Sequence, residues 1–377
     1  MKQPNHPAWI EINIAQFKHN LAVLQQHIGP NTKLCIPVKA NAYGHGLVEM
    51  ARAAVDARVD YLAVSCSQEG VILRKAGINK LPIFVMGAIH IEQIPELIEH
   101  DLEFTIASHY KARLVANICK QLQKTVKVHL EVDTGMRRTG VRVATAPLVL
   151  DYMSQESCFI VKGVYSHLAT SDVPQHPFSK QQIQEFIDFI KTSGLLNNPD
   201  IICHLSNSAG VACHPETHLD MVRPGLIAFG YFPRPDIPEN LRSIKPCFSI
   251  KAKIAYFKSV PAGFGVSYSH TYITAKPTHI LTIPIGYGDG LRRSLSNKGM
   301  ILLNGKRYPM VGTICMDQVM VDIGSDSGYV GDIVTIVGHD NGQQISIEDL
   351  SQSCDTIPYE ILCGFNDRLP RLYKYSL

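Results

Sequence analysis

The amino-acid sequence predicts an (α/β)8 barrel of the TIM type followed by an all-β domain. Eight short apolar runs alternate with segments that can hold helices over roughly the first 240 residues, which is typical of a parallel α/β barrel. From about Lys245, short stretches alternate apolar with polar residues and are separated by glycines, which is typical of a β domain. A chain of 377 residues is long enough for both domains.

The predicted elements follow in order along the chain. Ile10, Ile12 and Ile14 alternate with polar residues in a first, half-buried strand. The eight barrel strands are predicted at 34–38, 61–64, 82–86, 104–107, 126–132, 160–164, 201–205 and 221–229. Because periodicity alone leaves the strand number open by one or two, a doubly wound open sheet is the alternative fold.

The domain boundaries are predicted at residues 1–240 for the barrel and 241–377 for the all-β domain. The first strand, at 9–14, is a candidate to join the β domain. Within that domain Asn304-Gly305 separates two apolar runs, and this dipeptide favours a two-residue hairpin turn.

Composition excludes several classes of protein. The 36 basic and 33 acidic residues nearly balance, so we expect neither nucleic acid nor a membrane surface as partner. The 10 cysteines show no C-x-x-C spacing or His/Cys cluster, which predicts reduced thiols, no metal site and a cytoplasmic location. Met1–Pro7 is polar, no apolar signal segment follows it, and no run approaches the length of a spanning helix.

Lys39 lies directly after the apolar run 34–38, in the segment Val38-Lys-Ala-Asn-Ala-Tyr-Gly-His-Gly46. The carboxyl ends of buried parallel strands are where α/β folds place their chemistry. A lysine there forms a Schiff base with an aldehyde if its surroundings lower the amine pKa. A lone lysine at a strand end is more often a solvated cap, so this residue needs support from the rest of the chain.

This segment resembles the cofactor-lysine segment of the alanine racemases, the pyridoxal-phosphate enzymes with a barrel fold. The resemblance runs from Trp9 to Arg371 and includes at least seven motifs in family order. It implies that Lys39 holds pyridoxal 5'-phosphate and that the protein is an isomerase interconverting L- and D-alanine. It also implies a cytoplasmic homodimer with shared active sites, which supplies D-alanine for cell-wall peptidoglycan.

The motif Glu131-Val-Asp-Thr-Gly-Met-Arg-Arg-Thr-Gly140 carries the residue that the resemblance assigns to the substrate carboxylate, Arg138. A planar guanidinium suits this task because it donates paired hydrogen bonds. The family usually has at position 131 a lysine that reacts with carbon dioxide, and the carbamate positions the arginine. Here Glu131 supplies a negative charge directly, on a shorter arm.

Two segments with further cofactor contacts, 204–210 and 223–226, follow late barrel strands, where barrels commonly bind phosphate, although serines and glycines are ordinary in loops. A histidine at a strand end is more often structural, but the resemblance places His167 beside the cofactor ring. It assigns to the phosphate, or to its vicinity, Tyr43, Asn207, Ser208, Gly225, Leu226 and Tyr359.

Arg223 is implied to face the pyridine nitrogen of the cofactor. A guanidinium does not give up its proton, so the ring nitrogen stays unprotonated and the ring is a weaker electron sink than with a carboxylate partner. That suits a racemase, which has to avoid transamination.

Tyr268 and Met316 lie in the predicted β domain, where tyrosines in strands usually serve packing. The resemblance makes Tyr268 the second base opposite Lys39, makes Met316 a substrate contact, and brings both from the partner subunit. Three alternatives stay open: a racemase of broader amino-acid specificity, a decarboxylase of the same fold, and a non-catalytic pyridoxal-phosphate-binding protein. Arg223 disfavours the decarboxylase, and the second domain disfavours the binding protein.

Overall fold

The structure is a computed structural model that describes residues 6–173, 175–196, 198–234 and 236–376. The chain forms two compact units. One consists of Gln16–Ala42 and Leu47–Pro246. The other consists of Met1–Ala15, the short segment Tyr43–Gly46, and Cys247–Leu377.

The first unit is a closed barrel of eight parallel strands, which confirms the predicted fold class and excludes the open sheet. In order around the barrel the strands are Lys33–Pro37, Tyr61–Val64, Ile83–Val85, Glu103–Ile106, Val126–Asp133, Phe159–Tyr165, Ile202–His204 and Met221–Val222. The last strand pairs with the first through Met221 and Lys33, which closes the barrel. A short strand, Val141–Arg142, extends the sheet beside Val132 and Asp133.

Helices follow most of the barrel strands. Among the described residues up to the last barrel strand the α-helices are Ile14–Ile28, Leu47–Asp56, Ser67–Lys75, Ile94–Glu99, His109–Leu122, Ala146–Gln155, Pro177–Thr192 and Ser208–Cys213, and the short turn Lys39–Tyr43 contains left-handed residues. The helix Pro177–Thr192 buries Ile183, Phe186 and Ile190 on the face that its spacing predicts, whereas Ile187 is half-buried. None of the described helices combines the length and hydropathy that crossing a bilayer requires.

The eighth barrel strand is shorter than predicted. The apolar run 221–229 was expected to be a single strand, but only Met221–Val222 is extended, and Leu226–Phe229 forms a 3-10 helix. Pro224 interrupts the run because proline lacks the N–H group that a ladder needs. All four residues of the 3-10 helix are buried, so the apolar pattern reports burial here and not strand geometry.

The second unit is built on a mixed sheet of ten strands. Its strands are Ala8–Asn13, Phe248–Lys253, Tyr256–Val260, Thr278–Ile283, Met300–Leu303, Lys306–Val311, Val319–Asp322, Ile333–Asp340, Gln343–Ile345 and Arg371–Lys374. The first strand pairs antiparallel with Phe248–Lys253 and parallel with Arg371–Lys374. A separate two-stranded ribbon joins Gly265–Val266 to Tyr272–Ile273.

The predicted hairpin at Asn304-Gly305 is confirmed. Leu303 pairs with Lys306 across a two-residue turn, in which Asn304 and Gly305 have φ of 53° and 78°. Positive φ at both central residues is the geometry that twisted hairpins prefer. Two short helices, Ile347–Ser353 and Pro358–Gly364, complete this unit.

Candidate active site

Lys39 stands at the carboxyl end of the first barrel strand and is half-buried. The following residues Ala40, Asn41, Ala42 and Tyr43 all have φ between 52° and 55°, which is a turn of left-handed helix. Left-handed geometry costs an L-residue about 1–2 kcal/mol, so four in succession need support from their surroundings. Part of this support is local, since Asn41 Oδ1 accepts a hydrogen bond of 2.7 Å from the Leu47 N–H.

Glu69 supports the same turn from the neighbouring loop of the barrel. Its Oε1 accepts a 2.6 Å hydrogen bond from the Ala40 N–H, and its Oε2 accepts a 2.9 Å bond from the Ser65 N–H. One carboxylate therefore links the loops after the first and second barrel strands, directly beside Lys39. Sequence reasoning missed this residue.

The barrel brings several of the predicted site residues close to His167. Its pKa is lowered to about 3, first by burial and then by the positive charges of Arg223, Arg138 and Lys39. Three candidate residues, each from a different strand end, thus lie within electrostatic reach of His167, which follows a fourth. Since His167 is neutral at physiological pH, it adds no further charge to this cationic group.

Arg223 is buried, and all of its hydrogen-bond acceptors among the described residues are neutral. Nη1 donates to His204 Nδ1 at 2.7 Å, and Nη2 donates to the Ser166 carbonyl at 2.8 Å. The guanidinium carbon lies 5.2 Å from the centre of the Tyr165 ring. The barrel interior therefore presents an oriented positive charge that no contacting carboxylate neutralises.

Glu131 points into the barrel from the strand Val126–Asp133 and is also buried. Burial raises its pKa, while a hydrogen bond from Thr139 and the charges of Arg138 and Arg223 act in the opposite direction. In the described part of the chain no ion pair within 4.0 Å joins Glu131 to Arg138, whose side chain is exposed. The two charges interact across a longer distance than a direct contact.

The loops after the last two barrel strands lie against each other. Asn207 caps the helix Ser208–Cys213, because its Oδ1 accepts a 2.9 Å hydrogen bond from the Gly210 N–H. The Ser208 hydroxyl accepts from the Ile227 N–H at 3.4 Å, next to Gly225 and Leu226. Backbone N–H groups and a hydroxyl at two short helix starts form a donor set that suits a phosphate.

In the second unit the loops that carry Tyr268 and Met316 pack together. Thr313 Oγ1 donates to the Tyr268 carbonyl at 3.1 Å, and Ser267 Oγ donates to the Thr313 carbonyl at 2.5 Å. Both functional side chains face outward, with 68% of Tyr268 and 53% of Met316 exposed. The backbone therefore presents the two predicted residues as one group.

Tyr43 and Tyr359 also meet within the second unit, with ring centres 5.9 Å apart. Tyr43 belongs to the short segment Tyr43–Gly46 that lies in this unit, while Tyr359 is in the first turn of the helix Pro358–Gly364. Two residues that the sequence assigned to the same phosphate are thus neighbours.

Comparison with known proteins identifies the family. The sequence models of the alanine racemase N-terminal and C-terminal domains match residues 12–233 and 247–373. The chain belongs to the alanine racemase family.

Alanine racemase relatives match along the whole chain. The alanine racemase of Methanococcus maripaludis is 38% identical over 98% of this chain and 100% of its own length. The Clostridium difficile alanine racemase structure superposes with a TM-score of 0.93 at 33% identity, covering 99% of this chain and 97% of its own. A Bartonella henselae alanine racemase structure with covalently bound pyridoxal phosphate gives 0.87 at 27% identity, covering 97% and 99%.

Family membership settles the activity and the cofactor. Alanine racemases are pyridoxal-phosphate-dependent isomerases that interconvert L- and D-alanine, so the decarboxylase and the non-catalytic binding protein are excluded. The donor set fits the cofactor, because the neutral partners of Arg223 leave a cation suited to an unprotonated ring nitrogen.

Proposed function

We propose that Lys39 and Tyr268 are the two bases of alanine racemisation and act on opposite faces of the substrate's α-carbon. One removes the α-proton and the other returns a proton from the far side, which inverts the carbon. The observation that carries this proposal is the position of Lys39 at a strand end, at the start of a strained turn, where its charge acts on His167 as do those of Arg138 and Arg223. Active sites are where such backbone strain is commonly retained.

The remaining proposal concerns the residues that bind the cofactor and the substrate. Pyridoxal phosphate, when bound, accepts the electron pair that the departing α-proton leaves behind. Lys39 holds it covalently, His167 lies beside its ring and Arg223 donates an N–H group to its ring nitrogen. The phosphate is bound or approached by Tyr43, Asn207, Ser208, Gly225, Leu226 and Tyr359. The substrate carboxylate is held by Arg138, with Met316 as a further contact.

We also propose a homodimer in which each active site takes Tyr268 and Met316 from the partner subunit. The exposed tyrosine and methionine support this, because large side chains at the tips of packed loops need a partner surface. Exposed apolar neighbours extend the same surface, including Phe264, Ile273 and Tyr287.

Mixing inactive protomers tests the shared site. After subunit exchange between Lys39→Ala and Tyr268→Phe proteins, half of the dimers are hybrids, and one of the two sites in each hybrid has both bases. We expect about a quarter of the wild-type activity to return. Either variant exchanged with itself is the control. No recovery despite exchange shown by mass spectrometry would contradict the shared site.

Glu131→Gln tests the proposed link between Glu131 and Arg138. Charges that interact beyond contact distance are worth about 1–2 kcal/mol at an effective dielectric near 20, so we expect the KM for alanine to rise about tenfold. Wild-type activity should not respond to bicarbonate, because the carboxylate is already present. Glu131→Lys is the matched control, and its activity should increase with bicarbonate. An unchanged KM in Glu131→Gln would show that this charge does not act through Arg138.

Glu131→Gln is expected to stabilise the folded protein, although it weakens substrate binding. Because burial raises the pKa of Glu131, its ionised form costs stability at every pH above the folded-state pKa. The cost is absent below the unfolded-state pKa of about 4.3. Glu131→Gln should therefore have a higher Tm than wild type at pH 8, and the difference should shrink toward pH 4.

The physiological role is inferred from the family. We propose a cytoplasmic enzyme that supplies D-alanine for cell-wall peptidoglycan. The ten cysteines support a reducing compartment, since all of them are free thiols in the structure.

Rates with L-serine and larger amino acids, measured beside L-alanine, test whether the pocket is selective.

A further inference from the structure

Four side chains form a continuous hydrogen-bonded chain inside the barrel. Glu103 Oε2 lies 2.8 Å from His129 Nε2, His129 Nδ1 lies 3.0 Å from His204 Nε2, and His204 Nδ1 lies 2.7 Å from Arg223 Nη1. The four residues are 3%, 0%, 0% and 4% exposed. The two histidines have no access to bulk water as a substitute partner, and the two ends of the hydrogen-bonded chain have almost none.

The arginine end fixes the direction of every bond. A guanidinium only donates, so His204 Nδ1 has to be an acceptor, and the proton of His204 is on Nε2. That proton is donated to His129 Nδ1, which places the proton of His129 on its own Nε2. The chain then ends at the Glu103 carboxylate, which accepts. A protonated imidazolium at His204 would turn an N–H group toward the arginine.

The electrostatics agree with two neutral histidines. Burial lowers the pKa of His129 and His204, and the charge of Arg223 lowers both further, whereas Glu103 acts in the opposite direction on His129. The charge of Lys162 also lowers the pKa of His129, and further titratable groups that face the hydrogen-bonded chain include Cys35, Tyr61, Tyr165 and Glu131. Burial raises the pKa of the Cys35 thiol to about 12 and raises those of both phenols, so these three groups stay uncharged.

Gly163 provides the space for this arrangement. It pairs with His129 on the adjacent strand, and a Cβ atom at position 163 would overlap the His129 ring at Nδ1. A larger residue there would displace the nitrogen that accepts from His204. The hydrogen bond between His129 and His204 can therefore form only because position 163 carries no side chain.

We propose that Glu103, His129 and His204 are positioning residues that hold the Arg223 guanidinium in one orientation and offset its buried charge from a distance. This rests on the proposed role of Arg223 opposite the cofactor's ring nitrogen. With Nη1 directed to His204 and Nη2 to the carbonyls of Ser166 and Leu205, the guanidinium plane is fixed. Nε and the second proton of Nη1 remain to donate elsewhere.

The carboxylate of Glu103 offsets the buried charge of Arg223 without contacting it. An isolated buried cation is costly, but a carboxylate in contact with Arg223 would weaken the positive charge presented to the ring. Two polarised imidazoles between Glu103 and Arg223 keep the anion separate while aligning their dipoles with the charge. The barrel thus stabilises the arginine without neutralising it locally.

The proton order is tested on the wild-type holoenzyme by nitrogen-15 NMR after selective labelling of histidine. The signals are assigned with His129→Gln and His204→Gln. We expect both imidazoles to be neutral, with the proton on Nε2, and to remain so between about pH 6 and pH 9. A proton on Nδ1 of either ring would overturn the proposal, whatever the kinetics.

The functional role is tested with Glu103→Gln, which keeps an acceptor oxygen and removes the charge. Asp101→Asn is the matched control, because it removes a carboxylate two residues away that pairs with Lys127 at the surface. With the offsetting charge lost, the ring should experience a more positive Arg223. A more positive Arg223 makes the ring nitrogen still harder to protonate, so we expect transamination per racemisation turnover and kcat each to fall about tenfold, with the KM for alanine changing less than about threefold. The control should stay within about twofold of wild type.

Two outcomes separate failure of this proposal from failure of the proposed function. The first outcome is that Glu103→Gln and Asp101→Asn give the same kcat and the same ratio of transamination to racemisation, while Arg223→Glu changes that ratio. Glu103, His129 and His204 then have no positioning role, and the proposal is overturned. If Arg223→Glu also leaves the partition unchanged, Arg223 does not face the ring, and the inference falls together with that proposed role.

Discussion

Replacing Lys39 by alanine is expected to remove the visible absorption band of lysine-bound pyridoxal phosphate and to lower racemase activity by about four orders of magnitude. The change removes both the covalent attachment of the cofactor and one of the two bases, and a positioned base alone is worth about 10²–10⁴-fold. Lys39 is also the lysine whose charge lowers the pKa of His167.

Absorption spectra and borohydride reduction followed by peptide mapping measure this directly. Lys33→Ala is the control, because Lys33 is an exposed residue at the opposite end of the same strand. This variant should keep the band and the activity. A borohydride-reducible cofactor link in the Lys39→Ala protein would mean that another lysine holds the cofactor.

Arg223→Glu is expected to slow racemisation by about 10²–10³-fold and to favour conversion of the cofactor to its pyridoxamine form. Removing one preorganised electrostatic contact in a buried site commonly has an effect of this size. A carboxyl group at position 223 can share a proton with the ring nitrogen and strengthen the ring as an electron sink. It would also leave His204 Nδ1 without its donor.

The ratio of pyridoxamine formed to alanine racemised is the decisive quantity for this variant. Arg223→Lys is the matched comparison, because it keeps the positive charge and loses the planar fork. Its rate should fall without a large change in the ratio. An unchanged ratio in Arg223→Glu would remove the argument that this charge controls the reaction path.

The barrel was predictable because its strands are buried on both faces and therefore read as short apolar runs. The run 221–229 shows where this signal fails, since a buried 3-10 helix and a buried strand have the same composition. The left-handed turn after Lys39 was not predictable from local preference, because alanine and tyrosine disfavour positive φ. Tertiary contacts, including the one from Glu69, override that preference.

The site residues also include some that the sequence predicts and some that it does not. Lys39, Arg138 and Arg223 stand in motifs, and their position beside His167 follows from strand ends that meet at one edge of the barrel. Glu103 and His129 stand in no motif. They are polar residues at inward positions of buried strands, and their partners are 26 and 75 positions away in the sequence. Periodicity reveals such residues but not their partners.

Racemisation of L-alanine in deuterated water tests the two-base account most directly. The enantiomers are separated at early times, and the isotope at the α-carbon of each is measured by mass spectrometry. If Lys39 and Tyr268 act from opposite faces, the D-alanine formed carries solvent deuterium, because its proton comes from a different base than the one that removed the original. The remaining L-alanine should exchange little at first. D-alanine that retains the original hydrogen would show that a single base serves both faces, and would contradict the account.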